Sequence, residues 1–547
     1  MKEKEFSLLR EPWILALDED GQTCHLSLMQ VFAQAHRLHD LAGEMAAQDA
    51  AVIRVLLAVL YGVFGWEDVN GQEGTPQSIG EAQQRWQKLW QLGHFPMQPI
   101  ETYLNAWQEQ FYLFHPVTPF MQVAVDPEAK VMVNGKPLPI NPLVKSVSGF
   151  IGDLAESSNK AALFSYRQDK DSLSYAEAAR WLIHLNSYDV SPLGAPPQGC
   201  FRAKGFKIPW PNNLGMVWAK GQNLFETLML NFVLAPSGGD LWAEFRPVWE
   251  SDEAFDPQSL TETQAPFPQD PAALFTFPFR RLQLKRSQED KVTGCILWGG
   301  LLVEATGGNP LTETMTLWRT APDGSLLPKK HDPSRQMWQD FGALLSAAQG
   351  RPPGVVQWLS SLTNQGMLHL PLLQLNIAGV VLSSKSTSVD DAFWDGLRFH
   401  TSLLMDLKEG WPARITTEVE VTEKLVRQTG YLAANLVKAA GGSGEQDSKE
   451  ATAKARREAY FLLNSPFRQW LESIDENTSM EAGCAAWRNT QAQLFQSLGK
   501  QMAQRAGSKA LVGRMLKDHP NDTKGRVYTS PALYQRYLWQ IKQILSA

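Results

Sequence analysis

Cysteine is scarce in this chain. Only Cys24, Cys200, Cys295 and Cys484 occur, far apart and with no CxxC spacing. Their placement argues against a zinc site and against a disulfide scaffold, and fits a reducing, cytoplasmic setting. Long apolar runs are missing as well. The nearest candidate, AAVIRVLLAVLYGVFGW, is interrupted by Arg54 and falls short of a membrane span. The opening MKEKEFSLLREPW mixes acids with its lysines and has no long apolar segment, so a secretion signal is not expected. An excess of positive charge is also absent, the net charge being −6. Proteins that hold nucleic acid unaided are usually basic, so any such role must come from local patches or from an assembly.

Catalytic signatures are lacking too: there is no P-loop, GxGxxG, HExxH or GxSxG. His36 and His39 fall beside Arg37 on a helical pattern, with no carboxylate or cysteine at ligand spacing. The pairs Asp390–Asp391 and Glu418 with Glu420 read as a helix start and a solvated face. No catalytic residue, metal ligand or cofactor is therefore assigned, although catalytic residues can converge from distant positions, so the missing motifs alone leave enzyme activity open.

What is present is a soluble, globular composition. Apolar residues make up 44% and charged residues 20% of 547 positions, enough for at least two domains with buried cores. The first 70 residues begin with a strand and turn helical, and residues 100–395 mix helices and short strands with many Pro/Gly breaks. Residues 1–391 read as one mixed α/β domain. Beyond residue 392 four helical patterns follow, beginning with DAFWDGLRFHTSLLMDLKEGW, with GGSGEQD (441–447) as a flexible link. Amphipathic helices joined by short connections form bundles. The expected fold is α+β: a large mixed α/β N-terminal domain with long loops, then a four-helix bundle over 392–547.

Three stretches carry local chemistry. In GVVLSSKSTSVDD (379–391) an alternating strand pattern stops at Ser/Thr residues around Lys385, and Ser388 with Asp391 has the spacing of a helix-capping box. Alone, this reads as a solvated strand-to-helix connection. Between Asp189 and Glu226 no acid occurs, and Arg202, Lys204, Lys207 and Lys220 alternate with Phe201, Phe206, Trp210 and Trp218. Cations among aromatics suit phosphate contact and base stacking, although snorkelling lysines over a core segment give the same pattern. In ALFSYRQDKDSLSYAEAARWLI (162–183), Phe164, Tyr166, Arg167 and Lys170 precede a capping box of Ser174 and Glu177. A helix start is a natural phosphate seat. The end of the chain is basic, with seven Lys/Arg against Asp518 and Asp522 over 508–547.

Read in order, LFHPVTPFMQ (113–122), LFSYRQDKDSLSYAEAARWL (163–182), FPFRRLQL (277–284), KKHDPSRQMWQDFGALL (329–345) and GVVLSSKSTS resemble the CasA family. This family is the large subunit of the type I-E CRISPR surveillance complex, Cascade, and the resemblance spans essentially the whole chain. It implies a non-catalytic protein whose partners are the other Cascade subunits, the guide RNA, target double-stranded DNA and a recruited helicase–nuclease, with no membrane. It also implies recognition of a short protospacer-adjacent motif (PAM) through the minor groove, followed by strand separation.

The resemblance also assigns residues. Ser384, Lys385 and Ser386 take the place of the family's DNA wedge, with lysine where some members have a glutamine within Asn-Gln-Ala. A lysine can insert its stem beside an unstacked base step but lacks the paired donor and acceptor of a glutamine. Phe164, with Tyr166, Arg167 and Lys170, falls in the loop that meets the guide RNA. Ser174, Tyr175 and Ala176 stand where the family has a glycine-rich PAM loop. A family lysine expected after RPVW (246–249) is replaced by ESDEAFD, so its role is either lost or transferred to Arg280, Arg281 or Lys285. Two alternatives lie outside the family: a stand-alone hydrolase of carbohydrate or similar polar substrates, suggested by 19 tryptophans, and an independent nucleic-acid-binding protein.

Overall fold

A computed structural model describes residues 4–124, 130–133, 136–139, 145–147, 171–188, 210–251, 264–265, 267–297, 302–303, 309–345, 350–382, 389–405, 410–442, 444–516 and 526–546. The chain forms two compact units. One comprises Met1–Arg335 with Gln349–Gly396, the other Gln336–Ala348 with Leu397–Ala547.

The first unit is mixed α/β. Strand β1 (Glu5–Ser7) starts it, and helix α1 (Ala46–Phe64) is its central buried element. By length and composition α1 could cross a membrane, yet 89% of its most apolar window is buried inside the protein. Arg54, the residue that interrupts the apolar run, is buried with it. Its guanidinium meets Glu313 at 3.1 Å and lies 4.1 Å from the Phe275 ring. Glu313 also accepts from Trp210 Nε1 at 3.1 Å and from the Met315 backbone at 3.0 Å, so the buried pair is well supplied with partners.

Further along lie strand β2 (Tyr112–Phe114), which pairs antiparallel with β1, and helix α2 (Tyr175–Tyr188). Strand β3 (Met216–Lys220) follows, then the hairpin of β4 (Leu282–Arg286) and β5 (Val292–Leu297). Strand β6 (Leu372–Leu382) pairs antiparallel with β3 through Gln374↔Lys220, Asn376↔Trp218 and Ala378↔Met216. Buried Asn231 closes the free side of β3. Its amide accepts from Ala219 N–H at 2.9 Å and donates to Ala219 O at 2.6 Å, standing in for another strand.

Strand β7 (Val389–His400) completes the sheet in the order β7-β6-β3. This corrects the sequence expectation of a helix capped by Ser388 and Asp391. Phe393 and Leu397, four residues apart, satisfy both a helical and an alternating spacing, and pairing beside β6 selects the strand. Burial alternates accordingly: Leu397 and Phe399 are buried, Arg398 is exposed. The feature at 379–391 is thus flanked by two strands rather than by a strand and a helix.

The second unit is a helical bundle of α3 (Trp411–Ala440), α4 (Glu445–Glu472), α5 (Met480–Arg505) and α6 (Ser530–Ser546). Its fourth helix comes from the basic C-terminal region, not from the segment before 411. The link after α3 is shorter than GGSGEQD suggests: Gly441 (φ 103) ends α3 in a left-handed C-cap, and α4 already starts at Glu445. Glu418 is fully buried between Arg414 (2.8 Å) and Arg488 (3.2 Å), tying α3 to α5. Thr429 and Tyr537 hydroxyls meet at 2.9 Å, tying α3 to α6. Trp470 stacks on Trp487 at 5.3 Å, and Trp338, from the inserted segment Gln336–Ala348, stacks on Phe467 at 4.4 Å.

Candidate nucleic-acid interface

Six residues, 383–388, join β6 to β7, which are neighbours in one sheet. A parallel crossover needs a dozen or more residues, so the two strands form an antiparallel hairpin. Ser384, Lys385 and Ser386 fall within that connection and lie outside the described residues. The strands on either side are long, 11 and 12 residues. Their packing is tight near the connection. A Cβ on Gly379 of β6 would come within 2.7 Å of Phe393 Cζ and 3.0 Å of Leu214 O, so the Phe393 ring lies directly on glycine backbone. His331 packs against Phe393 with ring centroids 4.8 Å apart. Lys385 is the one cation between Leu372 and Gly396, while Asp390 and Asp391 are exposed on β7. Trp394 on the same strand is 59% exposed, an aromatic that the sequence reading passed over as part of a helix.

The second element is the start of α2. The capping box is formed as the spacing predicts: Ser174 Oγ accepts from Glu177 N–H at 3.2 Å, and Glu177 Oε2 accepts from Ser174 N–H at 2.9 Å. Ser174 is exposed, whereas Tyr175 and Ala176 are half-buried. The Tyr175 ring packs at 5.7 Å on Phe6 of β1 and at 4.7 Å on Phe114 of β2, and its hydroxyl faces Asp290 at 3.5 Å. Arg286 of β4 covers Phe114 at 4.8 Å and forms an ion pair with Glu5. Two neighbours of Tyr175 hold left-handed backbone, Phe6 (φ 58) and Asp290 (φ 53). Asp tolerates this region. A bulky aromatic does not, at a cost of about 1–3 kcal/mol that the surrounding packing must offset. Further along α2, Arg180 donates to Glu44 at 2.5 Å and to Trp13 O at 2.6 Å, anchoring the helix below its exposed first turn.

The candidate backbone contacts separate into distinct groups. Lys220 is engaged by Asp40 at 2.5 Å, with both side chains about one-quarter exposed. Arg280 and Arg281 are 2% and 3% exposed, which removes both guanidinium groups from the surface and from phosphate contact in this conformation. Lys285 is half-buried on β4. Arg202, Lys204 and Lys207, and the guide-RNA candidates Phe164, Tyr166, Arg167 and Lys170, lie outside the described residues. After RPVW, Glu250 accepts from Tyr103 Oη at 2.5 Å, and burial pushes its carboxyl above the usual range. Tyr103 itself fits because residue 62 of α1 is glycine: a Cβ there would sit 2.3 Å from the Tyr103 hydroxyl.

Sequence reasoning missed the packing around Tyr175. Phe114 lay within the LFHPVTPFMQ stretch, but nothing in the sequence connected it to Phe6 or Arg286, which are more than 100 residues away.

Comparison with known proteins gives a consistent result. The family model for CRISPR-associated protein Cse1 matches residues 7–498. A CRISPR-associated protein CasA/Cse1 of Thermus thermophilus is 26% identical over 518 residues, covering 89% of this chain and 92% of that protein. The crystal structure of Thermobifida fusca Cse1 superimposes with a TM-score of 0.80 at 28% identity, covering 99% of this chain and 98% of that one. A chain of a solved CRISPR RNA-guided surveillance complex shares the fold, with a TM-score of 0.67, 18% identity and coverage of 98% and 99%.

Proposed function

The chain belongs to the CRISPR-associated Cse1 family, and we propose that it acts as the large, non-catalytic subunit of a type I-E Cascade surveillance complex. In that role it reads the PAM of a target duplex through the minor groove, starts strand separation, and helps recruit the helicase–nuclease. Its partners are the other Cascade subunits, the guide RNA and double-stranded DNA. Guide pairing supplies sequence specificity, and the protein supplies PAM reading and local opening.

The hairpin of β6 and β7 carries this reading. Unstacking a base step costs a few kcal/mol, so the inserting residue needs a base that does not yield. Two long strands locked by Phe393 on Gly379 provide such a base for Ser384, Lys385 and Ser386. Lys385 inserts its aliphatic stem and leaves its ammonium at a minor-groove acceptor or a phosphate. Asp390 and Asp391 repel the backbone beside it, so only the tip is attractive to DNA. Ser174, Tyr175 and Ala176 form the second approach to the duplex, and Phe164, Tyr166, Arg167 and Lys170 meet the guide RNA.

The test is duplex binding from a randomised PAM library by guide-loaded complex, with and without this chain. PAM-dependent enrichment only when the chain is present supports the reading. Equal binding either way overturns it.

A further inference from the structure

The start of α2 is held from outside its own helix. Tyr175 sits against Phe6 and Phe114, with ring centroids at 5.7 and 4.7 Å, while Arg286 lies over the Phe114 ring at 4.8 Å, hydrogen-bonds Tyr175 and pairs with Glu5. Phe6 keeps a left-handed backbone (φ 58) that an aromatic residue adopts only when its ring is held in place. Ser174 remains exposed immediately beside this cluster.

We propose that Phe6, Phe114 and Arg286 form a positioning cradle for Tyr175, which makes the N-terminal strand Glu5–Ser7 part of the PAM-reading apparatus without contact to DNA. The inference rests on the proposed role of the α2 start. Tyr175 turns its ring inward onto Phe6 and Phe114, so its task is to fix the direction of the first turn. Ser174 and the N-terminal backbone of α2 then meet the groove at one orientation. An aromatic clamp suits this task, because offset and edge-on ring pairs set distance and angle together. The capping box alone fixes only the local turn.

The experiment uses guide-loaded complex reconstituted with variant chains, and compares affinity for duplexes carrying the preferred and a scrambled PAM. Phe6→Asn is the informative variant. Asparagine tolerates left-handed backbone, so it removes the ring while easing the strain, and chain stability is maintained. The selectivity ratio is expected to fall by roughly three- to tenfold at unchanged incorporation into the complex, and Phe6→Tyr restores it. If Phe6→Asn fails to incorporate, Arg286→Gln, which removes the ion pair to Glu5, is expected to give the same loss. Ser174→Trp, which fills the exposed approach, separates the two levels. If Ser174→Trp abolishes selectivity while incorporated Phe6→Asn or Arg286→Gln leaves it intact, the cradle is overturned. If Ser174→Trp also leaves selectivity intact, the role of the α2 start fails first and the cradle with it.

Discussion

Arg54 and Glu313 meet at 3.1 Å with side chains 2% and 0% exposed, joining positions 259 residues apart in the chain. Removing one member leaves a buried charge without its partner, which is far more costly than the pair's net worth. Arg54→Met is expected to destabilise the chain by about 3–5 kcal/mol. The double variant Arg54→Met/Glu313→Gln recovers part of the loss, because no buried charge remains unpaired. Denaturant midpoints of the isolated chain check both, with an unchanged denaturant slope as the control.

Burial pushes the Asp49 carboxyl up to about 7. Asp40 and Glu44 add to the rise, while the Gly43 N–H and Arg180 oppose it. In the unfolded chain the same group titrates near its ordinary value of about 4. Between about pH 4 and 7 the folded chain therefore keeps a proton that the unfolded chain has lost, so this group lowers stability as pH rises through that window. Asp49→Asn lacks the titration and keeps an oxygen for the Gly43 N–H, now at 2.9 Å. Its stability relative to the parent chain is expected to grow from pH 4 to 7 and level off above, measured as the difference in urea midpoints at stepped pH.

Gly379→Ala places a methyl group 2.7 Å from Phe393 Cζ and 3.0 Å from Leu214 O. The ring can shift, but the backbone oxygen has little freedom. A loss of about 1–3 kcal/mol is expected, as for other overpacked sites. Adding Phe393→Leu relieves the ring contact and returns part of it. If the hairpin is the wedge proposed above, Gly379→Ala in the assembled complex is expected to weaken strand opening more than initial duplex binding, read from a fluorescent base analogue placed just inside the PAM.

On the proposed wedge role, Lys385→Ala removes both the aliphatic stem and the charge that would enter the duplex. Duplex opening by the same fluorescence assay is expected to be lost, with affinity for PAM-bearing duplex down roughly tenfold. Lys385→Gln restores a paired donor and acceptor and is expected to shift the preferred PAM in a randomised library. Opening that persists unchanged in Lys385→Ala would remove the wedge role from this residue.

How far the sequence carried the reading differs by element. The long helices α3, α4 and α5 were legible because their apolar faces repeat over many turns. The capping box of Ser174 and Glu177 was legible because its partners are three residues apart. Strand β7 was not: Phe393 and Leu397 fit two periods at once, and only the neighbouring strand β6 decides between them. Arg280 and Arg281 illustrate a different limit. Two adjacent arginines look like a surface patch, and burial at 2% and 3% comes from tertiary packing that no local pattern records. The ring of Phe6 on Tyr175 joins residues with nothing between them in sequence to mark the encounter.

The route of the chain through Gln336–Ala348 has a consequence for how this protein can be divided. That segment, with Trp338 stacked on Phe467, belongs to the helical unit although it precedes β6 and β7 in the chain. A cut at residue 397 therefore does not release a finished module. The C-terminal fragment leaves without the tryptophan that completes its aromatic cluster, and the remaining piece keeps an apolar segment with no counterpart. Recombination or domain grafting that treats the helices as a terminal cassette exchanges an incomplete unit, whereas transplanting both pieces together preserves the core. The two units are inherited as interleaved text rather than as successive chapters.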